Sequence, residues 1–272
     1  IGSAGGRVPG FYTSNFNELA MRKTFGTEVE CLTLLELVKT AEGMAGEELE
    51  KGVEAVASGC LCKVDKEEIR KAGALFAAMR KLTAKYRLDA LAVRCWPEFS
   101  DFYGIGVCHV LGCSTSQIVP TACEGDVYGA LAMIAAKSLS GSDPFFCDMI
   151  SFDDKGDTGV FWHCGAAPIS LCKSGCKPVI AKHSIIDGGG RKGVAVEFPL
   201  KPGPVTVIRI GESRDGSGYR LLCVSGEGVD TEQFIKGTPL KVRFEIPAGR
   251  LAKAIVDNGF EHHYVLCHGD IR

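Results

Sequence analysis

Residues 117–152, QIVPTACEGDVYGALAMIAAKSLSGSDPFFCDMISF, contain a change of hydrophobic periodicity on which the prediction of the fold depends. A strand-like run over 117–120 is followed by apolar residues at helical spacing from about Gly125 to Leu139. From about Pro144 onward, short β-rich runs between Gly, Pro and Asp turns replace the helical spacing. The stretch therefore predicts two structural domains joined near residues 140 to 150.

Helical segments alternate with short apolar runs on the amino-terminal side of this junction. Predicted helices cover residues 15–25, 33–42 and 104–111, a further long helix begins after Asp65, and predicted strands cover 29–32 and 88–94. Strand and helix in alternation predict a three-layer, Rossmann-like α/β domain with a mostly parallel sheet, which we assign to residues 1–143. No G-x-G-x-x-G motif opens the first strand-to-helix turn, so a dinucleotide site is not indicated.

The carboxyl-terminal side shows evenly spaced, strand-like segments. They cover residues 145–152, 160–163, 193–198, 205–210, 219–225 and 240–246, with one helical segment at 250–258. Short strands at even spacing are typical of an antiparallel barrel or sandwich. We assign residues 144–272 to a β-rich, barrel-like C-terminal domain.

Composition excludes several classes of function. The 272 residues are 46% hydrophobic and carry a net charge of −2, so no global field would attract nucleic acid or an anionic membrane. No run approaches a membrane span, and the first residues lack the features of a signal peptide, so we expect a cytoplasmic protein. The thirteen cysteines form no doubled C-x-x-C array, and we expect reduced thiols.

Four polar residues that lie against short apolar or small-residue runs are candidate ligands of one metal ion. They are Glu124, Asp148, His163 and His263. An unpaired charge would be costly to bury at such positions. Carboxylate and imidazole donors suit a divalent cation such as Mn²⁺, and the same carboxylates can move protons between neighbouring carbons of a sugar.

Each candidate also has an ordinary structural interpretation. Glu124 or Asp126 would be favourable as the cap of the following helix, and Asp148 would be ordinary on an edge strand or facing solvent. His163 would be ordinary as a hydrogen-bonded core histidine. Neighbouring strand residues point to opposite faces, so at most one of the pair His262-His263 is expected to enter a shared site.

Five motifs spread over nearly the whole chain are similar to those of one enzyme superfamily. They are Gly6-Arg7-Val8-Pro9-Gly10-Phe11-Tyr12, Arg94-Cys95-Trp96-Pro97-Glu98, Glu124-Gly125-Asp126-Val127-Tyr128-Gly129-Ala130-Leu131, Trp162-His163-Cys164-Gly165-Ala166 and Glu261-His262-His263-Tyr264. By these motifs the chain resembles the middle and C-terminal domains of the L-fucose isomerase and L-arabinose isomerase superfamily, particularly its fucose-isomerase-like members. The third motif is the most specific.

The resemblance implies a site and a reaction. The family's metal carboxylates fall on Glu124 and Asp148 and its C-terminal metal histidine on His263, whereas His163 matches a ligand of the arabinose-isomerase branch alone. Similar enzymes use Mn²⁺ or another divalent cation and interconvert an aldose and a ketose. We expect a cis-enediol route in which the two carboxylates transfer the proton. Candidate sugar-binding residues are Trp96, Trp162 and Arg7.

The resemblance also implies an assembly. Relatives form trimers or hexamers in which a neighbour's N-terminal domain closes the site, so we expect a homo-oligomer. The sequence starts where the family's middle domain starts, and we therefore expect this chain alone to have an open, poorly active site. The partner expected is a small-molecule sugar, without nucleic acid or membrane. The alternatives are a non-catalytic sugar-binding or regulatory relative of the same fold and, with less support, a structural zinc or redox protein built on the cysteines.

Overall fold

The computed structural model describes residues 1–185 and 192–272, and its first half is an α/β arrangement. The strands of this half are β1 (Gly2–Ala4), β2 (Glu30–Leu32), β3 (Leu61–Cys62), β4 (Leu91–Val93) and β5 (Thr121–Ala122). The helices are α1 (Glu18–Phe25), α2 (Leu34–Glu42), α3 (Gly46–Ala57), α4 (Lys66–Tyr86), α5 (Cys108–Gln117) and α6 (Val127–Ser140). A 3₁₀ turn covers Tyr12–Ser14 and a π-helix covers Phe99–Tyr103. The order β2-β1-β4-β5 gives a parallel sheet, as predicted.

Local sequence signals begin and end these helices. Asp65 and Glu68 form the reciprocal capping box that begins α4, which confirms the predicted start of the long helix. Thr33 caps α2 through the backbone N–H of Glu36 at 3.0 Å. Helix α3 packs closely on α4, because a Cβ at Gly52 would overlap the carbonyl of Gly73.

The second half contains a closed antiparallel barrel. The elements of the second half are β6 (Phe145–Asp153), β7 (Thr158–Trp162), β8 (Val179–Lys182), β9 (Gly193–Glu197), β10 (Gly203–Glu212), β11 (Tyr219–Gly228), β12 (Leu240–Phe244), α7 (Ala248–Asn258) and β13 (His263–His268), with a 3₁₀ turn at Ile169–Leu171. The barrel order is β10-β11-β12-β7-β6-β13, and it confirms the predicted barrel-like architecture. Six strands closed in this way leave no free edge within the barrel.

Alternation along the barrel strands separates two cores. Phe145, Cys147 and Leu266 point into the barrel and belong to one buried cluster. Their neighbours Phe146 and Val265 point outward and join the core of the α/β half. Helix α6 packs against β13 and β10 on this outer surface. At about 1.5–3 kcal/mol for each buried large apolar side chain, both cores contribute substantially to stability.

A small sheet joins the two halves. Strand β3 from the first half pairs in parallel with β8, which pairs antiparallel with β9. Helix α6 ends at Ser140 and β6 begins at Phe145. The predicted domain boundary between residues 143 and 144 lies at this change from helix to strand. The two halves also share a sheet through the pairing of β3 with β8, so their division into separate domains stays a prediction.

Two predicted segments were wrong. The helix predicted over 104–111 begins only at Cys108, because Gly104 adopts a left-handed conformation with φ of 89° after the π-helix. The strand-like run 117–120 is not a strand: α5 continues to Gln117, and Pro120, which has no N–H for a ladder, precedes β5. Within the described residues, no helix has the length and apolar character needed to cross a membrane.

Candidate active site

Glu124 lies on a sharp turn between β5 and α6, at the carboxyl end of the parallel sheet. It has a left-handed backbone conformation, φ of 58°, and Gly125 follows with φ of 68°. The Gly125 N–H donates to the carbonyl of Val93 at 3.0 Å, and a Cβ at Gly125 would overlap the carbonyl of Gly6. This packed turn fixes Glu124 at the edge where open α/β sheets bind ligands.

Asp148 and His263 come from neighbouring barrel strands. They are direct partners in the antiparallel ladder of β6 and β13, so their side chains leave the same face of the sheet. Cys147 is buried in the barrel core, which places the next residue, Asp148, on the outer surface. The barrel therefore presents a carboxylate and an imidazole toward the sheet edge that carries Glu124.

Short distances join these side chains. Glu124 Oε2 lies 2.5 Å from His263 Nε2, and Asp148 Oδ1 lies 3.8 Å from the same nitrogen. Asp148 Oδ1 is also 3.8 Å from His262 Nε2. We call Glu124, Asp148, His262 and His263 the carboxylate–histidine cluster. The His263 side chain is fully buried, whereas that of His262 is 48% exposed, so the cluster opens to solvent on the side of His262.

The expectation that at most one of His262 and His263 would enter the site was wrong. Both contribute a nitrogen to a compact group of donor atoms with Glu124. The alternation rule does not apply, because β13 begins at His263 and His262 belongs to the preceding turn. The two rings lie with centroids 4.1 Å apart.

Asp126 orients His263 from behind. Its carboxylate accepts a hydrogen bond from His263 Nδ1 at 2.9 Å and another from the Gly129 backbone N–H at 2.7 Å. The residue thus caps α6, as its sequence position indicated, and also holds the imidazole with Nε2 directed at Glu124. A carboxylate behind a histidine is the usual support of a metal-binding imidazole.

Buried charges continue behind Asp126. Arg209, fully buried in β10, donates through Nη1 to Asp126 at 2.5 Å and lies 3.4 Å from Glu261. Glu261 in turn contacts Arg220 at 3.2 Å. Sequence reasoning missed this network, although Arg209 was visible as the one charge within the apolar run 205–210. Removing one member would leave an uncompensated buried charge.

The protonation behaviour of the cluster follows from these contacts. Burial disfavours the charged form of His263, yet hydrogen bonds and charge from Asp126 and Glu124 raise its pKa to about 9. Burial acts against ionisation of Glu124 as well, but His263 lowers the pKa of Glu124 below its usual value. Burial dominates for Asp148 and raises its pKa. The environments thus shift the pKa values of the two carboxyl groups in opposite directions.

His163 lies beside the cluster without joining its short contacts. Its Nδ1 is 3.5 Å from the Cys164 sulfur. Trp162 is only 9% exposed, and its Nε1 donates to the Lys236 carbonyl at 2.6 Å. Little of that ring is accessible to a sugar.

The Phe11 ring lies between Trp96 and the cluster, and Arg7 lies over Tyr12, the residue after Phe11. The Phe11 ring has its centroid 5.6 Å from that of Trp96 and 5.8 Å from that of His262. The Arg7 guanidinium lies 4.6 Å above the centre of the Tyr12 ring. The first motif therefore lies beside the His262 side of the site, and the sugar-binding roles of Trp96 and Arg7 stay predictions.

The donor set suits a divalent cation. Two carboxylates and two imidazoles are ligands that Mn²⁺ and related ions accept. Donors in adjacent positions about 2.1 Å from an ion are about 3 Å apart, so Glu124 and His263 would separate from 2.5 Å by about half an ångström. The displacement required of this pair is small, and Glu124, His262 and His263 form a compact donor group that fits a metal ion. Asp148, with Oδ1 3.8 Å from Nε2 of both histidines, lies beside that group.

The chain thus combines a parallel α/β sheet with a closed antiparallel barrel, and the carboxylate–histidine cluster lies where the two meet. No protein-family model matches this sequence. It is 33% identical over 275 residues to the sulfoquinovose isomerase of Alkalicoccus urumqiensis, and 31% identical over 274 and 279 residues to those of Priestia aryabhattai and Clostridium sp. (strain MSTE9). These matches cover 99% or more of this chain and 60% of each relative, so the chain spans about 60% of their length.

Proposed function

We propose that this chain carries the catalytic site of a metal-dependent aldose–ketose isomerase whose sugar is the sulfoquinovose named in its relatives. The observation that carries the proposal is the meeting of Glu124 from the sheet edge with Asp148 and His263 from the barrel. The names of the relatives support the same class of reaction.

Glu124, Asp148 and His263, with His262 beside them, would hold the divalent cation, which we propose to be Mn²⁺. The bound cation would supply positive charge to the two sugar oxygens at which negative charge develops. Asp126 keeps His263 Nε2 directed into the site, and Arg209 keeps Asp126 ionised.

The two carboxylates would carry the proton transfer of a cis-enediol route. In the direction from aldose to ketose, one carboxylate removes the proton from C2, and a proton is delivered to C1 as the carbonyl moves to C2. Glu124 and Asp148 both approach His263 Nε2 from separate elements, which suits groups that act on neighbouring carbons. The configuration of the sugar decides which of them is the base.

The test is an isomerisation assay with sulfoquinovose and Mn²⁺ in heavy water. We expect ketose formation with solvent deuterium entering at the transfer carbon, at a lower rate than in the full-length relative because the site is expected to be open. Glu124→Gln and Asp148→Asn should lower the rate of this chain at least about a hundredfold. Asp153→Asn, an exposed position at the end of the same strand β6, is the matched control and should remain active. The Alkalicoccus urumqiensis relative serves as the positive control of the assay.

Two results would contradict the proposal. One is turnover that Glu124→Gln and Asp148→Asn leave unchanged. The other is a chain that shows neither isomerisation nor deuterium exchange and binds no Mn²⁺, under conditions in which the relative is active. If sugar binds without exchange, the non-catalytic sugar-binding alternative is supported instead.

A further inference from the structure

A second group of metal-ligating side chains lies outside the carboxylate–histidine cluster. It consists of Cys108, Cys164 and His183, which we call the thiol cluster. Cys108 is the first residue of α5, Cys164 follows β7, and His183 follows β8. The three segments are far apart in sequence, so motif spacing gave no sign of the site.

The three donor atoms form a small triangle. The two sulfur atoms are 3.6 Å apart, and His183 Nε2 lies 3.3 Å from Cys108 Sγ and 3.2 Å from Cys164 Sγ. Zinc bonds of about 2.3 Å to sulfur and about 2.05 Å to nitrogen put two sulfurs about 3.8 Å apart, and sulfur and nitrogen about 3.6 Å apart, in a tetrahedral site. By the same geometry, the triangle would need to expand by only about 0.2–0.4 Å per edge.

The surroundings favour a metal different from that of the carboxylate–histidine cluster. Soft sulfur donors with one imidazole select zinc-like cations, whereas the carboxylate-rich cluster suits harder ones. Cys108 and His183 are buried and Cys164 is half-buried. Cys108 also lies at the amino terminus of a ten-residue helix, where the helix dipole favours the thiolate that zinc requires.

We propose that Cys108, Cys164 and His183 form a binding site for a thiophilic divalent cation, zinc, distinct from the catalytic metal site. Within residues 1–185 and 192–272 the cluster offers three protein donors, which leaves the fourth tetrahedral position to water or another donor. The ion would tie α5 of the first half to two loops of the second. Its role would be structural, because binding to the folded state alone stabilises that state.

Zinc would change the hydrogen bonding of His183. Its Nδ1 accepts the backbone N–H of Ile185 at 3.2 Å, a contact that requires Nδ1 to be unprotonated and so places the ring proton on Nε2. Zinc at Nε2 displaces that proton, and Nδ1 then carries one and can no longer accept from Ile185. The turn over 183–185 therefore has to adjust on binding.

The first test uses the unmodified 272-residue chain, reduced and stripped of metal. One equivalent of Co²⁺, a spectroscopic substitute for Zn²⁺, should give thiolate-to-metal charge-transfer absorption. X-ray absorption of the zinc-loaded chain should show two sulfur neighbours at about 2.3 Å. Zinc bound through nitrogen and oxygen alone, or no zinc bound, would overturn the proposal without reference to any variant.

Substitutions separate the two metal sites. Cys108→Ser and Cys164→Ser should each abolish the charge-transfer band. Cys113→Ser is the control and should keep the band, because Cys113 lies on α5 with Cys108 but contacts the ring of His109 instead. Glu124→Gln should lose Mn²⁺ and keep the band, so failure of the isomerase proposal would leave this one standing. A band that persists in both Cys108→Ser and Cys164→Ser would contradict the assignment.

Discussion

Asp126 performs two tasks with one carboxylate. It caps α6 through the Gly129 N–H and fixes the ring of His263 through Nδ1, while Arg209 balances its charge. Burial acts against the ionised carboxyl, but Arg209 and His263 hold the pKa of Asp126 well below its usual range. Its charge is therefore part of the site, although its carboxylate is directed at His263 and Arg209.

Asp126→Asn should separate these two tasks. The amide oxygen can still cap α6, but it provides no negative charge to His263 and leaves Arg209 buried beside a neutral group. We expect Mn²⁺ affinity to fall about 10–100-fold and the free energy of unfolding to fall by about 3–5 kcal/mol. Titration with Mn²⁺ and urea unfolding measure the two effects, with Asp65→Asn at the cap of α4 as the control. Unchanged Mn²⁺ affinity would show that Asp126 is only a helix cap.

His268 should make stability depend on pH. Its Nε2 donates to the Lys201 carbonyl at 2.9 Å, its Nδ1 is buried without a partner among the described residues, and burial lowers its pKa. Below about pH 6.5, His268 is protonated in the unfolded chain but stays neutral in the folded chain until a lower pH. The free energy of unfolding therefore falls as the pH drops below about 6.5. His268→Gln keeps the donor and should lose less stability between about pH 7.5 and 5.5 in urea unfolding. Equal losses in both proteins would exclude this role.

At the scale of elements, the turn from β5 to α6 determines the site. Glu124 and Gly125 are both left-handed, which directs the Glu124 side chain toward the barrel and brings Gly125 against Gly6. A non-glycine residue in this conformation costs about 1–3 kcal/mol, so the turn persists because the surrounding packing holds it.

Gly125→Ala should lower the free energy of unfolding by more than the cost of a left-handed alanine, because its Cβ would also overlap Gly6. Gly141, which ends the same helix, has φ of 66°, and a Cβ there would meet no atom within 4 Å. Gly141→Ala should therefore cost about 1–2 kcal/mol for the left-handed conformation. Gly125→Ala should add about 1–3 kcal/mol for overlap with Gly6 and weaken Mn²⁺ binding. Thermal unfolding compares the two variants, and equal losses would mean that Gly6 moves aside freely.

Periodicity predicted the barrel better than it predicted the small strands. Phe145–Asp153 is a nine-residue, β-rich run long enough to be recognised between turn signals, whereas β1 and β3 have three and two residues and no pattern. The sequence and the resemblance brought Glu124 and Asp148 into one candidate set. The bond between Asp126 and His263 joins residues 137 apart, and local pattern carries no information about such a contact.

At the scale of the molecule, several contacts join the two halves. Strand β3 pairs with β8, the outer barrel residue Phe146 is buried in the core of the α/β half, and the carboxylate–histidine cluster lies between sheet and barrel. Neither half completes the site alone. The geometry of the site should therefore depend on the integrity of the whole chain.

The two halves should unfold together in a single transition. The chain has two tryptophans, Trp96 after β4 and Trp162 at the end of β7, so Trp162→Phe and Trp96→Phe leave one reporter in the first and second half respectively. We expect the fluorescence of each variant to change at the same urea midpoint as its own far-ultraviolet circular dichroism. A fluorescence midpoint that departs from that of the circular dichroism would show that the halves unfold separately.

The location of a bound metal bears on the isomerase proposal more directly than any of these measurements. Crystals of the chain grown with Mn²⁺ should show one anomalous scattering peak within about 2.0–2.3 Å of Glu124, Asp148 and His263. The same crystals of Glu124→Gln should show a weakened peak or none. A Mn²⁺ peak located elsewhere, with Glu124 still hydrogen-bonded to His263 as in the metal-free chain, would contradict the proposed active site.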